Sequence, residues 1–441
     1  MTSEPAAKFS QKTGSYVWVW LPGETDPVVA GQIVDRGESM DFYYGRSYLA
    51  LDHAISLYEP ELPLRSGSIT PEPPLRYANA LRDAAPDAWG RRVIINRLTG
   101  ATGQAADNAM QDLGELTFLL HSGSDRTGAL DFQDSPMDYQ ARQSETASLD
   151  TLVRAAEMVE QGIPLEPVLA DALQHGTAIG GARPKALIAD GARKYVAKFS
   201  SSGDTYNVVK AEYVAMRLAA IAGLDVAPVT LVRAMDRDVL LIERFDRYKT
   251  EGGWARRAMV SGLTLLGLDA LMAAHASYED LTDIIRARFT RPKDTLKELF
   301  GRLVCNILVG NSDDHARNHA AFWDGAYLTL TPAYDICPQS RTGHEASQAM
   351  LVHGRARRSQ LSVCLESCAK YHLSREEALH VMSHHIEIVR TRFEEVCDEA
   401  ALGDVDRRLL WRRQFLNRLA FEGIESEIGP AICGLGEGQG T

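Results

Sequence analysis

The segment Gly310-Asn311-Ser312-Asp313-Asp314-His315-Ala316-Arg317-Asn318, followed after a short hairpin by Pro332-Ala333-Tyr334-Asp335-Ile336, decides how this chain should fold. It supplies a carboxylate at Asp313, an amide five positions on at Asn318, and a second carboxylate at Asp335. Phosphoryl transfer asks for such a set. One acid orients or deprotonates an attacking hydroxyl, while an amide oxygen and a second acid hold magnesium on the nucleotide phosphates. The spacing Asp-x-x-x-x-Asn is that of a kinase catalytic loop, with Asp335 where a metal-binding aspartate follows. Asp335 also interrupts the apolar run Leu330–Cys337, where a carboxylate is costly unless paired or metal-bound. Asp-Asp-His by itself is a polar turn after a helix. Asn318, the hairpin and Asp335 together shift the reading to phosphotransfer, with His315 in an Asp-x-His-x-x-Asn order closer to lipid kinases than to His-Arg-Asp protein kinases.

Working upstream, Ile179-Gly180-Gly181-Ala182-Arg183-Pro184-Lys185 precedes two expected strands, Ala186–Ala189 and Lys194–Phe199, turned at Asp190-Gly191. Two glycines let backbone N–H groups approach a phosphate, and Arg183 and Lys185 add charge. No Gly-Lys-Ser/Thr follows, so this is not a Walker A loop, and a glycine pair alone is more often a tight turn. Lys198 interrupts its strand. Glu212 falls on the apolar stripe of an expected helix, Tyr206–Ala222, and a glutamate on a buried face wants a cation. Kinases use such a Lys–Glu pair to hold the α/β-phosphates, although a structural salt bridge would look the same in sequence. Strands at Pro228–Arg233 and Val239–Phe245 follow; Glu243 to Phe245 runs off the second, where backbone groups can meet an adenine edge.

Toward the N-terminus, strands are expected at Val17–Trp20, Val28–Val34 and Met40–Tyr44. A helical stretch at Leu75–Leu98, broken by Pro86, and another near Asn108–Leu120 come next. The polar run Gln133–Ser148 reads as a connection between modules. After about Tyr248 helices dominate: Ser277–Phe289, Lys293–Val309, Arg375–Glu399 behind a Ser374/Glu377 capping box, and a last one at Asp406–Phe421. Short strands at Ala321–Trp323 and Leu328–Leu330 lead to Asp335, and the tail Gly434–Thr441 has nothing to bury.

With 441 residues, 45% of them hydrophobic and 24% charged, the chain has room for a two-lobed enzyme and an added module. No apolar run approaches the roughly 20 residues that cross a bilayer, and Met1-Thr2-Ser3-Glu4-Pro5 lacks the basic and apolar regions of a secretory signal, so a cytoplasmic protein is expected. Six scattered cysteines imply buried free thiols rather than a disulfide framework or a zinc site. The formal net charge of −12 argues against nucleic-acid binding through the overall field; Gly354-Arg355-Ala356-Arg357-Arg358 is the best local basic patch, and a solvated loop is the better reading of it.

Together these segments resemble the HipA family of serine/threonine kinases, the toxins of bacterial HipA–HipB toxin–antitoxin pairs. The likeness runs through Leu81–Arg91, Ser124–Leu130, Gly180–Lys185, Ile242–Arg247, Asn311–Asn318 and Pro332–Ile336. It implies an α+β fold: a two-lobed, protein-kinase-like (PI3K-like) core with an added N-terminal α/β module and a mostly helical C-terminal lobe. The bounds expected are 1–132 for the N-terminal module, 148–247 for the small lobe, 248–425 for the large lobe and 426–441 for a flexible tail. By the resemblance, Asp313 is the catalytic base, assisted by His315 and Lys198. Asn318 and Asp335 are magnesium ligands. Gly180, Gly181, Ala182, Arg183, Lys185, Lys198, Glu243 and Phe245 belong to the ATP site.

The resemblance also implies partners: a small helix-turn-helix antitoxin of the HipB kind, DNA mainly through that antitoxin, and a protein substrate such as an aminoacyl-tRNA synthetase, with no membrane. The regulatory serine that the family often carries seven residues before the lysine of the glycine motif is Ala178 here; Thr177 beside it is the expected substitute for autophosphorylation. Two other classes fit parts of the pattern: a corepressor that keeps the fold and works with a DNA-binding partner, and a small-molecule kinase.

Overall fold

The computed structural model describes residues 13–101, 108, 113–142, 147–201, 203–340 and 346–429. The expected tail at Gly434–Thr441, Cys433, and part of the helix expected near Asn108–Leu120 lie outside them; within them that helix is Glu115–His121. By contacts the chain divides into two compact units. One comprises Met1–Ser202, Val232–Val260 and Trp323–Ala326; the other comprises Gly203–Leu231, Ser261–Phe322 and Tyr327–Thr441.

Among the described residues the first unit holds two larger sheets and a two-stranded one. In the N-terminal one the strands run in the order Met40–Tyr44, Val28–Asp35, Gly14–Val19, Leu130–Gln133. The fourth strand is missing from the sequence reading, which begins a connection at Gln133. It is only four residues long and carries Asp131, a residue type poor in strands. Burial is bearable because Arg126 and Arg142 each reach the Asp131 carboxylate at 2.6 Å. Pro86 does split the following helical stretch, into Asn79–Arg82 and Ala88–Thr99.

The second sheet pairs Lys185–Ala189 with Lys194–Phe199, and the latter with Arg237–Glu243. Met235 and Asp236 before the last strand both take positive φ, 46° and 61°, the primed-turn geometry that matches strand twist. The helices Leu149–Glu160 and Pro167–Gln174 cover this sheet, with Leu152, Val153, Leu173, Phe199 and Val239 in one apolar cluster that also takes Trp89. A further hairpin, Arg247–Thr250 with Gly253–Arg256, stands where helices were expected to take over. Its aromatic and β-forming residues Tyr248 and Trp254 carry the signal, diluted by three glycine and threonine positions between them.

The second unit is mostly helical. Val208–Ile221, Tyr278–Arg288, Pro292–Val309 and Arg375–Glu399 fall within two residues of the expected bounds. Arg375–Glu399 packs on Val208–Ile221 and Pro292–Val309, and its capping box is formed: the Ser374 hydroxyl accepts the Glu377 N–H while the Glu377 carboxylate accepts the Ser374 N–H. The last expected helix is not continuous. It runs Asp404–Leu410, then breaks, and a 3₁₀ turn forms at Arg418–Phe421. Arg412 and Leu416 take left-handed φ of 62° and 49°, and the Leu416 N–H turns away to the Leu308 carbonyl at 2.7 Å, so Phe415 and Leu416 can be buried instead of continuing a helix face. Cys305, Cys337, Cys364, Cys368 and Cys397 are free and buried, as expected. Among the described residues no helix is long and apolar enough to cross a membrane.

Candidate active site

The Asp313 loop begins where the long helix Pro292–Val309 is forced to stop. Gly310 caps it with φ 76°, and a Cβ there would lie 2.8 Å from the Gln414 carbonyl oxygen, so a side chain is excluded twice over. The chain then crosses Asn311, whose amide donates to Asn306 Oδ1 at 3.0 Å and to the Asp335 carbonyl at 3.4 Å. Asn311, buried and absent from the sequence assignment, ties the two halves of the motif together. The Asp335 backbone sits at φ 61°. A non-glycine residue pays for the left-handed region, and such outliers persist where the surroundings over-determine them, often at functional sites.

The two adjacent aspartates differ completely. Asp314 is buried, accepts the Tyr278 hydroxyl, and lies 3.1 Å from His319 Nε2; the Tyr278 and His319 rings meet edge to face. It is a brace. Asp313 stays exposed, yet neighbouring protein displaces enough water to lift its carboxyl above the ordinary aspartate range, with His315 pulling down and Asp335 pushing up. Asp313, His315 and Asp335 are therefore in electrostatic reach of one another. The His315 Nδ1 is buried and finds no hydrogen-bond partner among the described residues. Asn318 donates its amide N–H to the Asp313 carbonyl at 3.4 Å, which leaves its amide oxygen as an acceptor. From below, the Gly262 N–H holds the His319 carbonyl at 2.6 Å.

Among the described residues no three His, Cys, Asp or Glu side chains gather as a metal cluster. One carboxylate and one amide oxygen are nonetheless what magnesium takes from a protein when waters and phosphates complete its shell. Asp335 and Asn318 fit that role, and the carboxylate of Asp335, which raises the proton affinity of Asp313, adds to the negative field that favours a cation there.

The glycine loop and the lysines lie in the first unit. Lys185 and Lys198 face each other in register across the strand pair, and both are buried. Like charges directly opposite each other on a strand pair repel, so this pairing concentrates positive charge beside the glycine loop. The Lys185 ammonium donates to the Gly180 carbonyl. The loop is gripped by the N-terminal part of the same unit: Asp87 Oδ2 accepts the Gly181 N–H at 2.8 Å, Arg92 donates to the Ala182 carbonyl at 2.7 Å, and the Trp89 indole donates to the Lys185 carbonyl at 3.0 Å. Arg183 is half-buried. Gly90 allows close approach, since a Cβ there would stand 1.9 Å from the Thr177 carbonyl oxygen. Thr177 is fully buried; its hydroxyl accepts the Gly123 N–H at 3.0 Å and donates to the Gln174 carbonyl at 2.7 Å.

Glu212 is buried on Val208–Ile221 in the second unit, as its stripe position predicted. Glu243 is half-buried at its strand end and pairs with Arg193 at 3.2 Å, and the following N–H, that of Arg244, is already bonded to the Lys194 carbonyl at 2.8 Å. Phe245 is half-buried. The string around them does something the sequence did not reveal. Arg244 and Arg247 converge on Asp125 at 3.0 and 2.9 Å and on Asp246 at 2.8 and 2.9 Å, joining the Ser124–Leu130 and Ile242–Arg247 segments in one buried ion cluster. Burial alone would raise the Asp125 carboxyl, but Arg244, Arg247 and Lys194 hold it well below its ordinary value.

Residues 177–402 match the family model described as HipA-like C-terminal domain. Over 126 residues the chain is 32% identical to the putative kinase Y4mE of Sinorhizobium fredii, an alignment covering 27% of this chain and 30% of that protein. It is 27% identical over 147 residues to the serine/threonine-protein kinase toxin HipA of Shewanella oneidensis, covering 30% of this chain and 34% of that one. The matched part thus spans about a third of the length of these curated relatives. In fold, the chain is similar to a chain of the solved complex of HipA, HipB and operator DNA from Shewanella oneidensis, with a TM-score of 0.62 at 17% identity over 88% of this chain and 93% of that one. The α+β, kinase-like fold is shared.

Proposed function

The chain belongs to the HipA family, and from that premise we propose that it is an ATP- and magnesium-dependent serine/threonine protein kinase serving as the growth-inhibiting toxin of a bacterial toxin–antitoxin pair. The observation that carries this reading is the convergence of Asp313, His315 and Asp335 in one loop system, with Asp335 raising the Asp313 carboxyl's proton affinity.

In this reading Asp313 accepts the proton of the attacking substrate hydroxyl. His315 counters the rise in the Asp313 pKa and so favours the carboxylate form that a base requires. Asn318 and Asp335 hold magnesium, which when bound neutralises charge on the transferring phosphoryl group. Gly180, Gly181, Ala182 and Arg183 offer backbone and charge to the phosphates, with Lys185 and Lys198 as paired cations. Glu243 and Phe245 are assigned to adenine. Because the Arg244 N–H is taken, the Glu243 and Phe245 backbones carry that contact. Functional boundaries are proposed at 1–132, 148–247 and 248–425.

The Shewanella oneidensis protein was solved with HipB and operator DNA. We extend to this chain a small HipB-like helix-turn-helix antitoxin, DNA reached mainly through it, and a translation component such as an aminoacyl-tRNA synthetase as substrate. Thr177 is the candidate autophosphorylation site; its hydroxyl is sealed in the observed arrangement, so modification requires the segment to leave its seat.

The test is phosphopeptide mapping after incubation with Mg-ATP and bacterial lysate, beside Asp313→Asn. New phosphosites made only by the native chain support the proposal and name the target. No new sites despite ATP binding would move the assignment to a corepressor or a small-molecule kinase.

A further inference from the structure

The first unit contains a cavity of about 450 Å³ that the kinase reading does not use. That volume suits a small organic ligand. Trp20, Tyr139 and Trp254 supply aromatic walls, and Leu152, Leu187 and Ile188 supply apolar ones. The polar lining is Lys194, Arg247, Arg256, His175 and Asp125, with Lys194 set over the Trp254 ring. Asp26, also on the lining, is exposed.

The charges behind this cavity do not balance. Asp125 takes Lys194, Arg244 and Arg247; Asp246 takes Arg244 and Arg247; Asp131 takes Arg126 and Arg142. Arg256 is left over. It is 7% exposed, donates to the Ser124 carbonyl at 2.9 Å, and lies 3.3 Å over the Trp20 ring. Among the described residues it forms no ion pair. Crowding of the cations is visible in their acidities: burial together with Arg244 pushes Arg247 down to about 10, and burial lowers Lys194 and Arg256 as well. Asp125 and Asp131 act on Arg256 only from beyond ion-pair distance, and a buried guanidinium with no direct ion pair is costly, a cost that a bound anion would relieve.

We infer that this cavity is a binding site for a small aromatic or apolar monocarboxylate, with the carboxylate paired to Arg256 and the body held between the aromatic and apolar walls. Of these cations Arg256 alone makes no ion pair among the described residues, so one negative charge completes the pairing, and carboxylate is the anion whose planar geometry an arginine matches. Trp20 and Trp254 on the lining provide a direct optical signal.

The experiment titrates 2-naphthoate into the full chain, following tryptophan fluorescence and heat, beside the uncharged 2-naphthylmethanol. One equivalent of 2-naphthoate should bind, with the alcohol at least about tenfold weaker. Arg256→Met should weaken 2-naphthoate by about tenfold or more, as should Ala189→Trp, which fills the exposed rim of the cavity. If Arg256→Met fails to fold by circular dichroism, Ala189→Trp and the alcohol decide. Equal affinity for acid and alcohol, or native affinity in Ala189→Trp, overturns the proposal. So does an absence of saturable binding up to about 10 mM, a limit near 3 kcal/mol. Displacement of 2-naphthoate by an ATP analogue would place it in the nucleotide site and equally sink the idea.

Discussion

Asp87→Asn tests the glycine loop more sharply than any substitution within the loop itself. Asp87 Oδ2 accepts the Gly181 N–H at 2.8 Å, so a carboxylate already occupies a donor that a nucleotide phosphate would want. The asparagine keeps an oxygen acceptor of the same length, and the loop stays latched. What changes is charge. A phosphate oxygen brought within about 5 Å of the carboxylate meets a repulsion near 3 kcal/mol at an effective dielectric of about 20, or roughly a hundredfold in affinity as an upper limit. Losing the charge on the latch weakens a charge-assisted hydrogen bond by about 1 kcal/mol, the smaller effect. Asp87→Asn should therefore bind a non-hydrolysable ATP analogue several-fold to about a hundredfold more tightly, and the gain should shrink as salt rises. The assay is calorimetric titration with magnesium at low and high ionic strength. Unchanged or weaker affinity at low salt would mean that phosphates do not approach Gly181, and the loop would lose its assignment.

Asp335→Asn should lower the pKa of Asp313, because the raising contribution of the neighbouring carboxylate is removed; carboxyl-carbon NMR with labelled aspartate reads this, and an unmoved titration would separate the two acids. Glu61 is held up to about 7 by burial, against 4.5 for a free glutamate, so stability should fall as pH rises from about 4.5 to about 7, by about 3 kcal/mol in all. Glu61→Gln should flatten that slope in urea unfolding, and a slope equal to wild type would refute it. Asp125→Ala should cost about 3–5 kcal/mol, since it strands Lys194 and leaves two buried arginines sharing Asp246; a loss under about 1 kcal/mol in the same unfolding assay would mean the cluster is only geometric. Asp313→Asn should reduce phosphotransfer by about 10²–10⁴, measured with labelled ATP, and near-native turnover would remove Asp313 as the base.

Much of the candidate site was legible because its parts are close in sequence. Asp313, His315 and Asn318 share one short loop, and Asp335 follows a hairpin whose turn, Asp324-Gly325, is itself a local signal. Spacing singles out Asp313, which stands five residues before Asn318, but says nothing of what Asp314 does. Only the positions of Tyr278 and His319 show that Asp314 is the brace and Asp313 the exposed acid. The last helix was overread for a related reason: its apolar pattern persists through Phe415, but burial of Phe415 and Leu416 against the helix ending at Val309 demands left-handed residues that no local preference announces.

The amino-acid order by itself determined most of the strand and helix order, the family resemblance and the candidate phosphotransfer loop, since periodicity, caps and turn residues act over a few positions. Tertiary structure alone decided which charges neutralise which. Asp87 meets Gly181 across 94 residues of chain, and Arg244 meets Asp125 across 119. Burial makes an unpaired charge costly, so pairing is chosen by which groups the packed core brings within reach, and nothing in the spacing of residues along the chain records that choice.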